Sequence, residues 1–255
     1  MADYSRIFYP ESNFGGFTDI DGTVVFYTRV NALLTPVSVA LDVGCGRAAF
    51  VEDDKPTLRN LRTLKGKCAK VLGIDVDPIG VGNPVIDEFR LIQGSTWPVE
   101  DVSVDLVVSD NVLEHLDRPD VFFSEIDRVL KPGGHVCIRT PNVWSYVCLF
   151  SRLIPHRYHV AVVAKVQDGR KEEDVFPTLY RCNSPWRIRK VFNRLGYDHA
   201  VYGYEAEPSY LSFSRIAYWF GVQHQRYAPR FLRPAIFAFA RKPLSTPAAP
   251  LERNA

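Results

Sequence analysis

No stretch of this 255-residue chain is apolar and uninterrupted for the length a bilayer crossing needs, and no basic-then-apolar leader opens it. Five cysteines, Cys45, Cys68, Cys137, Cys148 and Cys182, form an odd set without metal-ligand spacing. They argue against a zinc site and a disulfide framework, so we expect no metal, reduced thiols and a cytoplasmic location. A formal net charge of +2 and the lack of any lysine or arginine block argue against a nucleic-acid partner. Internal repeats are missing too, and bias in composition is confined to the proline- and alanine-rich tail, 243–255, which is expected to be disordered. What remains is a 46% hydrophobic chain of 28.9 kDa, enough for one α/β domain with additions and too little for a second independent one.

The most informative segment is Leu41-Asp42-Val43-Gly44-Cys45-Gly46-Arg47-Ala48. An apolar strand that ends on Asp-x-Gly-x-Gly brings a carboxylate and bare backbone to the mouth of a parallel sheet, where a nucleoside cofactor can lie. Gly44-Cys45-Gly46-Arg47-Ala48-Ala49 also fits the loose dinucleotide pattern G-x-G-x-x-G/A. A pyrophosphate held there would be repelled by Asp42, whereas the cationic amine of S-adenosylmethionine would be attracted. A plain strand-to-helix turn with no ligand is the other alternative.

Downstream residues supply context. Ala69 to Pro78 reads as a second buried strand ending in acids, and Asp75 offers two acceptor oxygens to a ribose diol, with Asp77 a secondary candidate. Further short apolar runs follow at Phe89–Gly94, Val104–Asn111 and Gly134–Asn142. The spacing of Phe122, Ile126, Val129 and Leu130 predicts a helix over about 119–130, stopped by Lys131-Pro132-Gly133-Gly134. Ser184-Pro185 predicts a second helix start, with Ile188, Val191, Phe192 and Leu195 as its apolar stripe and Gly196 its end. Strands are expected at 200–204 and 235–240.

Taken together, LDVGCG, GIDVDP, DLVVSDNVLEHL and RVLKPGGHVCIRTPN resemble the class I S-adenosylmethionine-dependent methyltransferases, in particular the small-molecule branch with the type 11 domain. The motifs cover roughly two fifths of the chain, in the family's order. The resemblance implies a Rossmann-like, doubly wound α/β fold whose seven-stranded sheet is mostly parallel with an antiparallel last strand, plus helical insertions. It implies S-adenosylmethionine as cofactor, S-adenosylhomocysteine as product, and in-line attack by a substrate nucleophile on the sulfonium methyl. Position by position, it puts Asp42, Gly44 and Gly46 at the methionine end of the cofactor, Asp75 on the ribose, and Asp110 and Asn111 beside the methionine moiety and the methyl group. Cys45, Val76, Asp77, Gly94 and Ser95 complete the expected cofactor-binding set. Two positions depart from the pattern: Ala48 stands where a third glycine is common, at what should be the beginning of the helix. Ser95 replaces an aspartate, so the adenine would meet the Ser95 hydroxyl, a backbone group, or Thr96 and Trp97.

We expect an N-terminal lid or cap over 1–36, the methyltransferase domain over 37–242, and insertions at about 144–182 and 208–233. The first insertion carries His156, His159 and Tyr180, which are candidate proton acceptors together with His115. About thirty residues separate the last two strands, too many for a plain loop. Within them Phe213, Ile216, Ala217 and Phe220 recur at helical spacing, and Arg226, Arg230 and Arg233 follow. Such a helix could pack on the domain, cap the substrate pocket, bury a contact with a second copy, or rest on a membrane surface. The sequence thus predicts methyl transfer to a small-molecule acceptor through oxygen, with a hydrophobic, glycan or lipid-linked acceptor in view. A silent adenosylmethionine-binding scaffold and a dinucleotide-dependent oxidoreductase are the alternatives. Oligomeric state is not predicted.

Overall fold

The structure, a computed structural model, describes residues 4–153 and 177–244. His156 and His159 lie outside the described residues, as does the tail beyond 244.

Seven strands form one sheet in the order β3-β2-β1-β4-β5-β7-β6. They are β1 (Val39–Val43), β2 (Lys70–Asp75), β3 (Glu88–Leu91), β4 (Val104–Asp110), β5 (Leu130–Pro141), β6 (Asp198–Tyr204) and β7 (Ala235–Arg241). The first five pair in parallel, while β7 runs antiparallel to both β5 and β6. It follows that β6 points the same way as β5. The C-terminal ends of β1, β2, β4, β5 and β6 therefore share one edge, the edge at which open α/β sheets hold ligands.

Side chains alternate along each strand and fill two cores. On one face Leu41, Val43, Val107 and Ile138 pack with Phe122, Phe123 and Ile126 of α4 (Pro119–Val129) and with Ile188 and Phe192 of α6 (Pro185–Leu195). On the other, Ala40, Leu106, Val108, Cys137 and Phe237 meet Phe26, Tyr27 and Val30 of α2 (Gly22–Leu33). Asp21 caps α2 by accepting from the backbone N–H groups of Thr23 and Val24 at 2.7 and 2.9 Å. Much of the N-terminal segment is thus a helix packed on the sheet, preceded by the short α1 (Ser5–Phe8). The remaining helices are α3 (Pro56–Arg62), α5 (Tyr146–Leu153) and α7 (Arg215–Tyr227).

Three local expectations are corrected. Lys131 to Gly134 does not separate helix from strand: α4 hands over directly to β5, and the proline and glycines sit inside β5 where its register against β4 shifts. Ser184 occupies the cap position of α6 but makes no capping bond with its side chain; Gly196 ends that helix as expected, in the left-handed region at φ 73°. Ala48 does not begin a helix. Its own backbone is left-handed, φ 58°, and only a single 3-10 turn follows at Ala49–Glu52.

Candidate active site

At the shared strand edge, the backbone after β1 is tied to the end of β2. Gly44 N–H donates to the Ile74 carbonyl at 2.8 Å, and Gly46 N–H to Asp75 Oδ2 at 2.9 Å. Asn83 Nδ2 holds the other side of the loop by donating to the carbonyls of Cys45 and Gly46. Both glycines have positive φ, but for different surroundings. A Cβ on Gly44 would sit 2.4 Å from Val112 Cγ2, whereas one on Gly46 would meet nothing within 4 Å. Gly44 is therefore demanded by packing, and Gly46 borders open space.

Asp75 is buried, with Oδ1 accepting from Asp77 N–H at 3.0 Å and Oδ2 from Gly46. Each oxygen retains a lone pair for a diol. Asp77 caps its own turn, accepting from Ile79 N–H at 2.9 Å. Val76, Gly94 and Ser95 are exposed along the same edge. Asp42 is half-buried, with its main chain paired to β2 and β4. Burial lifts its pKa to about 7; neighbouring Asp110 and Asp75 add to the rise and Arg62 opposes it. A carboxylate so placed calls for a cation. Open space at Gly46, the remaining acceptor capacity of Asp75 and the carboxylate of Asp42 together fit a sulfonium amino acid joined to a ribose. Cys45 is buried in the loop, and its thiol is pushed upward by burial, so it is an inert packing group.

Asp110 ends β4 as a neighbour of Asp42, with its carboxylate already engaged. Its carboxylate is taken up by Arg139, whose Nε and Nη2 each donate at 2.6 Å, and by the hydroxyl of Tyr27 at 3.0 Å. Burial alone would raise Asp110, but the Arg139 charge and hydrogen bonds outweigh it, and its pKa is low. Asn111, left-handed at φ 58°, turns the chain away.

Asn111 and Arg139 form part of the wall of a cavity of ≈ 420 Å³ whose remaining lining includes Tyr146, Tyr204, Glu205 and Glu207. Tyr204 stacks on Phe237 with ring centroids 4.4 Å apart. Glu205, 3% exposed, follows β6 directly onto the strand edge. His224 Nδ1 lies 2.8 Å from its Oε2, and the Tyr146 hydroxyl interacts with the same carboxylate. Burial raises the Glu205 pKa, with His224 the main opposing influence. Glu207, also raised by burial, accepts from Thr18 Oγ1 at 2.9 Å. Sequence motifs did not point to Glu205, because its partner arrives nineteen residues later from α7.

The other candidates have structural partners. His115 lies on a 3-10 turn with Nδ1 2.9 Å from the Pro177 carbonyl. The backbone carbonyl of Glu114 accepts from both Leu179 and Tyr180. Tyr180 is half-buried, its hydroxyl pushed up to about 12 by burial and by Cys148, which lines the cavity. Among the described residues no cluster could hold a metal ion, and no helix is long and apolar enough to cross a membrane.

Comparison with known proteins agrees with this geometry. The model of the methyltransferase domain family matches residues 41–138, from β1 into β5. A Mycolicibacterium smegmatis protein named a probable S-adenosylmethionine-dependent methyltransferase is 40% identical over 107 residues, 40% of this chain and 37% of that protein. The ubiquinone biosynthesis O-methyltransferase of Brucella ovis is 29% identical over 103 residues, 40% of each chain. This chain thus spans about two fifths of the length of the curated relatives it matches. In fold it is similar to a chain of the Haloferax volcanii complex between the Trm112 methyltransferase activator and a methyltransferase. That match has a TM-score of 0.54 and 21% identity, and covers 86% of this chain and 89% of the other. Over residues 41–138 the chain matches the methyltransferase domain family, and its fold is that of the class I S-adenosylmethionine-dependent methyltransferases. The cofactor of that class is S-adenosylmethionine.

Proposed function

We propose that the protein transfers a methyl group from S-adenosylmethionine to an oxygen of a small, hydroxyl-bearing acceptor seated in the ≈ 420 Å³ cavity. The observation that carries this reading is the shared wall: Asn111 follows Asp110 at the tip of β4 and also lines the cavity. Asp42, Gly46 and Asp75 would hold the cofactor's ammonium, backbone-facing and ribose parts. When bound, the cofactor supplies an activated methyl on a sulfonium. The protein's work is to align the acceptor and exclude water. Carboxylates at Glu205 and Glu207 suit acceptor hydroxyls, and the faces of Tyr204 and Phe237 suit the apolar side of a ring.

Glu205 is the proton acceptor in this reading. Glu205 would take the proton that the acceptor hydroxyl gives up on methylation and pass it to His224, which is 28% exposed and would release it to water. The matched O-methyltransferase from Brucella supports oxygen as the accepting atom. Incubation with methyl-labelled S-adenosylmethionine and fractionated small-molecule and lipid extracts tests the proposal. Label should enter an acceptor fraction in a base-stable ether. Absence of transfer to every fraction, with cofactor binding intact, would refute it.

A further inference from the structure

Helix α7 turns the face that its sequence marks as apolar toward solvent. Phe213, Ile216 and Phe220 are 66%, 71% and 61% exposed, and Trp219 is 45% exposed. The side that packs inward carries Tyr218, Gly221 and Val222 instead. Its orientation is fixed: Pro208 approaches so closely that a Cβ on Gly221 would lie 2.5 Å from Pro208 Cβ, and Tyr218 is enclosed by Tyr4 and Phe8. The expectations of simple core packing and of pocket lining are therefore both overturned for Phe213, Ile216, Trp219 and Phe220. None of the four lines the cavity. Tyr227 and Phe231, just beyond the helix, are exposed as well.

Single exposed apolar residues need no explanation, but this set lies within one helix and its flanks. The charge carried by the segment itself has one sign. From Pro208 to Pro234 the sequence contains no aspartate or glutamate, yet it carries Arg215, Arg226, Arg230 and Arg233. Arg215, Arg226 and Arg230 are exposed within the same segment. A two-fold contact with a second copy would set these arginines against one another with no acid from the segment to offset them. An anionic lipid surface supplies both missing parts, phosphates for the arginines and an acyl boundary for the rings.

We propose that α7 and its flanks, residues 213–231, seat the protein on an anionic membrane surface, with Phe213, Ile216, Trp219 and Phe220 entering the interface. Pro208, Ser209 and Tyr210, which lead into α7, line the cavity, so seating brings the cavity to the level of the headgroups. Docking is read without methyl transfer, so its failure is distinguishable from failure of the proposed reaction.

The test is sedimentation of the full chain with vesicles of phosphatidylcholine alone or mixed with phosphatidylglycerol. Wild type should sediment with the mixed vesicles and be released as salt rises. The double variant Trp219→Ser, Phe220→Ser should lose roughly tenfold or more in vesicle affinity while keeping its thermal unfolding and S-adenosylmethionine affinity. Arg226→Gln with Arg230→Gln should abolish the preference for the anionic vesicles. No binding by wild type, or equal binding by both double variants and wild type, would overturn the proposal. So would a stable dimer in light scattering that Phe220→Ser converts to monomer without any vesicle binding.

Discussion

Arg139 and Asp110 meet as a paired fork across neighbouring strands, Nε to Oδ1 and Nη2 to Oδ2, each at 2.6 Å. Both side chains are almost wholly buried, at 13% and 9% exposure. The guanidinium also lies 5.3 Å from the Phe26 ring centroid, so the pair locks α2 to the centre of the sheet. Arg139→Met should lower unfolding stability by about 3–5 kcal/mol, because it leaves a buried carboxylate without its partner. Adding Asp110→Asn should recover a large part of that loss. Urea denaturation checks both, and a single variant as stable as wild type would contradict the role given to the pair.

Asp42 links the site to pH. Burial, then Asp110 and Asp75, lift its carboxyl from 3.8 to about 7 against the pull of Arg62. Because the folded state keeps the proton longer than the unfolded chain, the stability this group contributes is fully present below 3.8 and is lost as pH rises toward about 7. Asp42→Asn should therefore raise the melting temperature of the ligand-free protein above about pH 7 and leave it unchanged below 3.8. Affinity for S-adenosylmethionine should increase with pH across the same window in wild type, since the ionised form receives the cation. Calorimetric titration of the asparagine variant should show weaker binding with a flat pH response.

The two glycines after β1 should separate packing from ligand approach. Gly44→Ala meets Val112 and carries a left-handed φ of 72°, so it should destabilise the fold by more than the roughly 1–2 kcal/mol of the backbone strain alone. Gly46→Ala bears comparable strain without a clash, and its methyl enters the open space. Its stability loss should stay near the strain value while cofactor affinity falls. Paired melting and binding curves decide this; equal melting temperatures for the two variants would refute the distinction.

These variants also mark what the sequence made legible. Strand-tip acids and glycines are local features, so the positions of Asp42, Gly44, Gly46 and Asp75 at strand ends could be read from a run of a few residues, and the short apolar runs gave strands whose assembly into one sheet the family resemblance implied. Side-chain pairings between distant elements could not be read in that way. Nothing local reveals that Arg139 and Tyr27 converge on Asp110. Glu205 and His224 were invisible as a pair for the same reason. The α7 stripe misled because periodicity reports that a helix has an apolar face, not which face the tertiary contacts of Pro208 and Tyr218 turn inward.

Catalysis supplies a fourth prediction. Once the acceptor is in hand, Glu205→Gln should lower kcat about 10²- to 10⁴-fold with cofactor affinity unchanged. His224→Gln, acting through Glu205, should lower kcat less and shift the pH profile. Tyr180→Phe and His115→Asn should change stability more than turnover, since the Tyr180 hydroxyl is engaged by Cys148 and Thr178 and the His115 ring by the Pro177 carbonyl. Steady-state kinetics of the four variants measure this, and a fully active Glu205→Gln enzyme would remove that residue from the chemistry.

The central claim, that the edge formed by Asp42, Gly46 and Asp75 receives S-adenosylmethionine, is tested most directly by isothermal titration of the purified chain. The account predicts saturable binding of S-adenosylmethionine and S-adenosylhomocysteine and no heat with NAD or NADP. Asp75→Ala should weaken binding by about 1.5–3 kcal/mol, the range for a hydrogen bond to a charged group. Binding of a nicotinamide dinucleotide without binding of S-adenosylmethionine, or unchanged affinity in Asp75→Ala, would contradict it.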